Sequence, residues 1–372
     1  MRTVLILANS TMGFYRFRKE LVSSFTSLGE VFLASPDDGF VDEITALGAK
    51  YINTPFDRRG MNPFRDLRLF FCYKSLIKQT KPDIILTYTV KPNIYGNFAA
   101  KRFKVPVIAT MTGLGDSFSS KGIVSRLVHF LYRTAFKKTS AITFYNQEDE
   151  DIFRSAGIIK NQKLLRVPGS GVNLSEYDEL DYPISNDEND SVKFLFIGRV
   201  LRSKGIPELL EAARRLKTEY ANKFELTLIG PHEGDVRTIV IDAEKNGLIR
   251  HFGFQKDIRP WVKDAHCIVL PSHYEGMGTA LQEAAAMGRP LISTNTSGPR
   301  ETVKNGINGF LCKPKDSDSL YECMKKFIDL SSENKLKMGK ASRSRAETHF
   351  NRNIVINAVT AEIDRLLKEV IG

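Results

Sequence analysis

The sequence predicts an α/β chain built from two doubly wound parallel sheets, and three observations predict it. The chain has 372 residues, more than one core usually serves. Short apolar and β-branched runs alternate with longer amphipathic segments, the pattern of a parallel sheet covered by helices on both faces. The alternation stops once, in the polar, acidic, turn-rich stretch GSGVNLSEYDELDYPISNDENDS at 169–191, and then restarts.

In the first half, strands are expected at residues 3–8, 31–33, 83–87, 107–110, 141–145 and 164–168. Helical periodicity fills 15–28 and 63–79 between them. The second of these has a clear start, because Asn62 can cap it and Pro63 suits the first helical position. In the second half, strands are expected at 193–197, 225–229, 249–253, 267–270, 290–294 and 309–312. The domains therefore read as 1–171 and 191–352, with a linker at 172–190. Ligands of such sheets bind beyond the carboxyl ends of the strands, so two sheets facing each other make a cleft lined by strand-end loops.

Composition bounds the partners. Hydrophobic residues at 42% and charged residues at 26% describe a globular chain with sizeable cores. The net charge of +11 suits nucleic acid, an anionic membrane surface or phosphorylated ligands, and equally a merely soluble basic surface. The four cysteines (72, 267, 312 and 323) form no CxxC pair, which points to a reducing compartment. The opening MRTVLILANS reads as a buried strand rather than a signal peptide, and no apolar run is long enough to span a membrane. A cytoplasmic or peripheral membrane protein is expected. The six histidines show no metal-ligand spacing; His273 stands in a loop of interest, and the others read as structural.

The segment PSHYEGMGTALQEAAAMGRPLISTNTSGPRETV (271–303) carries the most chemistry. A buried strand ends at 270, a glycine-punctuated loop follows at 274–278, and a helix is expected from about 279 to 287. Such a helix start presents unpaired N–H groups to an anion or a sugar hydroxyl. Gly276 and Gly278 allow close approach to the backbone. Glu275 and Glu283 are eight positions apart, slightly over two helical turns, so both can face one site and accept from paired hydroxyls; in isolation such a pair is also compatible with two solvated surface acids. The segment FIGRVLRSKGIPELLEAA (196–213) is the second signal. Gly198, Arg199, Lys204 and Gly205 follow a strand, and the two cations can clamp a diphosphate.

Together, G-R-V-x-x-x-K-G and E-G-x-G-x-x-x-x-E-A after P-S resemble the retaining glycosyltransferases of family 4, which have the GT-B fold of two Rossmann-like domains. The resemblance covers nearly the whole chain. It implies that Arg199 and Lys204 hold the donor diphosphate, Glu275 the sugar hydroxyls and Glu283 the ribose. Backbone groups of Met277, Gly278 and Thr279 would hold the sugar and phosphates, Phe254 would border the base, and Gly13 and Gly198 would complete the donor site. Arg199, Lys204 and Glu275 are the candidate catalytic residues. The resemblance further implies no metal or other cofactor, and a final helix at about 353–372 that packs back on the first domain.

Three N-terminal segments are candidate acceptor loops: LANSTMGFYRFRKEL (7–21), TYTVKPNIYGNFAA (87–100) and MTGLGDSF (111–118). They offer Arg16, Arg18, Tyr88, Lys91, Asn93, Thr112 and Gly113, with Gly115 in the third loop. KPNIYG followed by TGLG resembles the subgroup that builds capsule, O-antigen and glycan precursors on undecaprenyl diphosphate, commonly from UDP-linked N-acetylated sugars. A GDP-sugar donor is the alternative within the same fold. Many family members carry a histidine in the loop that reads LTYTVKPN here; its role is not carried over, and Tyr88 and Lys91 are the polar candidates. Lys91 could stabilise departing phosphate charge or simply snorkel over the rim.

The stretch KGIVSRLVHFLYRTAFKK (121–138) mixes apolar positions with Lys121, Arg126, Arg133, Lys137 and Lys138 and contains no acid. It suits a helix lying on anionic lipid, or a core helix with a basic outer face. Residues 58–81 add Arg58, Arg59, Arg65, Arg68, Lys74, Lys78 and Lys81. The paired-glutamate block argues against a nucleotide-sugar epimerase, and no cofactor-lysine motif supports a phosphorylase. A nucleic-acid-binding protein would interleave its basic residues with exposed aromatics in a recognised motif, and none is present. A non-catalytic membrane scaffold would not need both donor motifs intact.

Overall fold

The computed structural model describes residues 2–54, 56, 62–114, 118, 122–183, 191–221 and 223–371, without the side chains of 123, 370 and 371. Arg58, Arg59, Gly115, Lys121 and the 184–190 part of the expected linker lie outside the described residues. The chain forms two compact units, Met1–Ser170 with Asn353–Gly372, and Gly171–Arg352.

Short, mostly apolar runs build the central strands of both sheets. In the first unit β1 (Arg2–Leu7), β2 (Gly29–Ser35), β3 (Lys50–Asn53), β4 (Ile84–Tyr88), β5 (Val107–Met111), β6 (Ala141–Phe144) and β7 (Lys163–Arg166) form one parallel sheet in the order β3-β2-β1-β4-β5-β6-β7. All residues of β4, β5 and β6 are buried, as a strand covered on both faces requires. The order reverses between β1 and β4, which makes that boundary the switch point. Right-handed crossovers put helices Thr11–Thr26 and Val41–Ala46 on one face, and Pro63–Thr80, Asn97–Phe103 and Ile123–Ala135 on the other.

Asn62 caps its helix as the sequence suggested, accepting from the N–H groups of Phe64 and Arg65, with Pro63 in the first turn. The first helix begins earlier than expected, at Thr11, because Ser10 is a side-chain cap for the N–H of Gly13. The seven-residue β2 is longer than the predicted 31–33, and β3 was not predicted. KYIN is a short edge strand whose two outer residues are exposed, so it lacks an apolar run. The last helix, Arg352–Ile371, buries Val355, Val359, Ile363 and Leu366, and its Asp364 pairs with Arg2 of β1.

In the second unit β8 (Val192–Ile197), β9 (Phe224–Ile229), β10 (Arg250–His251), β11 (Cys267–Leu270), β12 (Leu291–Thr294) and β13 (Gly309–Cys312) run parallel in the order β10-β9-β8-β11-β12-β13. Its switch point lies between β8 and β11. The expected strand 249–253 shrinks to two residues, since the chain turns away at Gly253. Residues 171–183 pack as part of this unit. Fully buried Arg289 fastens them: its guanidinium donates to the carbonyls of Leu180 and Asp181, and to those of Val262, Lys263 and Met287.

Candidate functional site

The switch point of the second unit brings the two C-terminal motifs together. After β8 the chain makes a 3-10 turn over Arg202–Lys204, reaches Gly205 with φ +73°, and enters helix Ile206–Tyr220. A Cβ at Gly205 would overlap the carbonyl of Pro271, so glycine is what lets this loop press against the loop after β11. The N–H of His273 donates to the Ser203 carbonyl at 2.9 Å and ties the two loops. Across this contact Lys204 Nζ pairs with Glu275 Oε1, and Ser272 Oγ donates to the same oxygen at 2.8 Å. The Lys204 and Glu275 side chains are 18% and 14% exposed, shielded enough for the pair to be firm. Behind it His273 Nε2 lies 2.9 Å from Glu208 Oε1.

Helix Thr279–Ala286 starts from Gly278, whose φ of +77° no β-carbon residue adopts without strain. No side chain caps this start, which leaves the first N–H groups and the positive end of the dipole directed at the 275–278 loop. Met277 buries its side chain, and its carbonyl accepts from Thr302 Oγ1 at 3.3 Å. Glu283 is buried in the second turn of the helix. Arg199 pairs with Glu233 at 3.0 Å, and Arg202 with Asp235 at 2.8 Å. Phe254 is 54% exposed and lies in the loop beyond β10, not on the strand end that the sequence suggested.

The N-terminal candidates divide into two groups. Gly13, Arg16 and Arg18 sit in the first helix rather than in a loop, since Ser10 starts that helix upstream of them. The N–H of Gly13 is used by Ser10 Oγ at 2.9 Å. Asp38 fastens the same corner, accepting from Ser10 Oγ at 2.6 Å, from the Met12 N–H at 2.8 Å and from Thr11 Oγ1. The helix kinks at Arg18, whose φ/ψ of −145°/16° is not helical. The kink sets the guanidinium 4.7 Å from the centre of the Tyr88 ring and lets it donate to Tyr145 Oη at 2.7 Å. Tyr88 itself is buried against Phe14; burial pushes its hydroxyl up to about 12, while the Arg18 charge pulls the other way. Thr112 and Gly113 follow β5 and are half-buried.

Asn93 and Lys91, offered by the sequence as acceptor-side candidates, are tied into the framework of their loop. The π-turn Pro92–Gly96 points Asn93 inward, where it is 0% exposed. Its Oδ1 accepts from Thr87 Oγ1 at 2.7 Å and its Nδ2 donates to the Thr110 carbonyl at 2.9 Å, tying β4 to β5. Lys91 pairs with Asp66 at 2.7 Å, both side chains 15% exposed or less, and Tyr95 Oη donates to the other Asp66 oxygen at 3.0 Å. Thr89, just before them, holds a left-handed φ of +73°, a costly conformation for a β-branched residue.

Sequence reasoning missed Asp38, Asp66, Tyr145, Glu233 and Asp235. Glu233 and Asp235 had a signal, since PHEGD follows β9 at the same sheet edge as the donor loops. Among the described residues no three His, Cys, Asp or Glu side chains come together to hold a metal, and no helix is long and apolar enough to cross a membrane.

Two family models match the chain: "Glycosyl transferase 4-like" over residues 3–146 and "Glycosyl transferases group 1" over 179–345, together spanning most of its length. The chain belongs to the family 4 glycosyltransferases. This glycosyltransferase is 28% identical, over 98% of its length and 99% of the relative, to the N,N'-diacetylbacillosaminyl-diphospho-undecaprenol α-1,3-N-acetylgalactosaminyltransferase of Campylobacter jejuni. It is 26% identical, over 73% of each chain, to an Escherichia coli UDP-Gal:α-D-GlcNAc-diphosphoundecaprenol α-1,3-galactosyltransferase. Among solved structures, HepE of Anabaena in complex with UDP and glucose superposes with a TM-score of 0.79 over 97% of this chain and 99% of its own, at 18% identity. The glycosyltransferase therefore has the GT-B fold.

Proposed function

We propose that this glycosyltransferase moves an N-acetylated hexosamine or fucosamine from a UDP-sugar to a sugar carried on undecaprenyl diphosphate, with retention at the anomeric carbon and without a metal. The observation that carries the reading is the loop pair at the β8/β11 switch point. There Arg199 and Lys204 bring positive charge, the uncapped start of helix Thr279–Ala286 brings N–H donors, and Glu275 brings an acceptor for sugar hydroxyls. The acceptor class is supported by the two relatives whose names specify diphospho-undecaprenol-linked sugars. A UDP donor is supported by the name of the second of these relatives and by the UDP complex of the fold neighbour.

In the proposed reaction the bond from the sugar C1 to the diphosphate oxygen breaks, and the acceptor hydroxyl oxygen bonds to C1 from the same face. The acceptor proton passes to an oxygen of the departing UDP. Arg199 and Lys204 balance the charge that gathers on that diphosphate, and Glu283 holds the ribose. On the acceptor side, Arg18 is an anion-binding candidate, held by a phenol and two aromatic faces rather than by a carboxylate.

The work is done at the inner face of an anionic membrane. Phe64, Leu67 and Phe71 on helix Pro63–Thr80, and Val124, Leu127 and Phe130 on helix Ile123–Ala135, are exposed apolar side chains interleaved with exposed Arg65, Arg68, Lys78, Arg126 and Arg133. Both helices pack against the π-turn Pro92–Gly96.

Calorimetric titration with UDP and GDP, beside Glu283→Ala, tests the reading. UDP binding that weakens at least tenfold in the variant is expected. GDP binding in its place would overturn the donor assignment, and binding of neither by folded protein would overturn the site.

A further inference from the structure

Every cation on the loop between β8 and helix Ile206–Tyr220 already carries a carboxylate. Lys204 holds Glu275, Arg199 holds Glu233 and Arg202 holds Asp235. Two of these carboxylates are delivered by fixed backbone. Val200 donates to the Pro231 carbonyl at 2.9 Å and Glu233 donates back to the Val200 carbonyl at 3.0 Å, so the loop after β9 is laced to the loop after β8 and carries Glu233 onto Arg199. The close contact of Gly205 with Pro271 and the Ser272 hydroxyl bond do the same for Glu275 and Lys204.

We infer that Glu233 and Glu275 are resident counter-ions of the donor site, which compete with the donor diphosphate for Arg199 and Lys204 and yield those cations when the nucleotide binds. This rests on the donor reading above. A diphosphate brought to the same cations stands beside the two carboxylates, and like charges at that range repel. The swap has a direction. Glu275 leaves Lys204 when the diphosphate arrives, and the freed carboxylate becomes available to the hydroxyls of the sugar that arrives with it. Free UDP, which brings the displacing charge and no sugar, is therefore held less tightly than the cation count alone would suggest. Product release draws on the same competition.

The test is calorimetric titration with UDP, so that no sugar contact of Glu275 enters the reading. The proteins are the unaltered enzyme, Glu233→Gln, Glu275→Gln, Lys204→Met and the Lys204→Met/Glu275→Gln double variant. Gln at 275 keeps an acceptor for Ser272 and removes the charge. Glu275→Gln should tighten UDP about tenfold, because its pair is shielded from solvent. Glu233→Gln should tighten it about threefold, because that pair is 48% and 35% exposed and better screened. In the Lys204→Met background the Glu275→Gln gain should shrink, because no ion pair is left to break and only the direct repulsion of the diphosphate remains; an undiminished gain there would overturn the competition for Lys204. If Lys204→Met weakens UDP but neither glutamine variant tightens it, the competition is wrong and the donor site stands. If Lys204→Met leaves UDP binding unchanged, the donor reading itself fails. If Glu275→Gln does not fold, Glu233→Gln decides, and an unchanged Kd there overturns the inference.

Discussion

Asn93→Ala separates a framework residue from an acceptor contact. The asparagine is fully buried, and the substitution removes three side-chain hydrogen bonds, a weak one to the Met111 sulfur and two whose partners, Thr87 Oγ1 and the Thr110 carbonyl, stay buried. Leaving buried polar groups unpaired costs about 1–3 kcal/mol each. The neighbouring bond from Asn97 Nδ2 runs to the Asn93 main-chain carbonyl and survives. A loss of about 2–4 kcal/mol is expected, which for a unit of this size lowers Tm by about 5–15 °C. The assay can be made specific to one unit. The single tryptophan, Trp261, lies in the second unit against Phe252, so its fluorescence follows that unit alone. Urea unfolding followed by circular dichroism should show an early transition in Asn93→Ala, while the Trp261 transition stays in place. Below the early transition the KM for acceptor should match the unaltered enzyme. An unmoved dichroism transition together with a raised acceptor KM would refute the argument and return Asn93 to the acceptor site.

Two further perturbations test local physics. Thr89→Gly relieves a left-handed β-branched residue, worth about 1–3 kcal/mol, against the roughly 0.5–1 kcal/mol that glycine costs in backbone entropy; Tm should hold or rise by a few degrees, and a fall of more than a few degrees would mean the Thr89 side chain contributes contacts that outweigh its strain. Tyr88 releases its proton at about 12 in the folded chain and near its ordinary value of 10 when unfolded. The folded state thus binds this proton more tightly, and the stability it brings is complete below 10 and lost as pH rises from 10 toward 12, up to about 2–3 kcal/mol. Tyr88→Phe should flatten that alkaline decline in denaturation midpoint, and an unchanged decline would assign the loss to other buried phenols.

The double-sheet architecture was legible because the central strands are short runs of apolar and β-branched residues, as in IILTY and VIATM. The short edge strand Lys50–Asn53 was not, since an edge needs no such run. The donor loops were legible because glycine, cation and carboxylate recur at fixed local spacings beside strand ends. What the sequence hid were pairings made at long range. Lys91 looked like a rim cation because Asp66 lies 25 positions away, and Asn93 looked like a polar loop residue because only the π-turn reveals that it points inward. Arg199 and Glu233 show the same limit, being 34 positions apart and joined only where neighbouring strands end.

The way the chain passes into and out of the second unit has a consequence for its ancestry and its engineering. Val172 and Asn351 sit side by side as a parallel bridge, with Val172 donating to the Phe350 carbonyl at 2.7 Å and Arg352 donating to the Val172 carbonyl at 2.9 Å. The 182 residues of Gly171–Arg352 are therefore, in topology, an insertion spliced into the first unit, whose chain resumes at Asn353. An insertion whose two ends are neighbours can be lifted out, replaced or circularised without any stretch of chain having to bridge a gap. A glycosyltransferase organised in this way keeps the half that bears Arg18 and the half that bears Lys204 as separately exchangeable pieces of heredity, the second closed at its own two ends by this pair of hydrogen bonds.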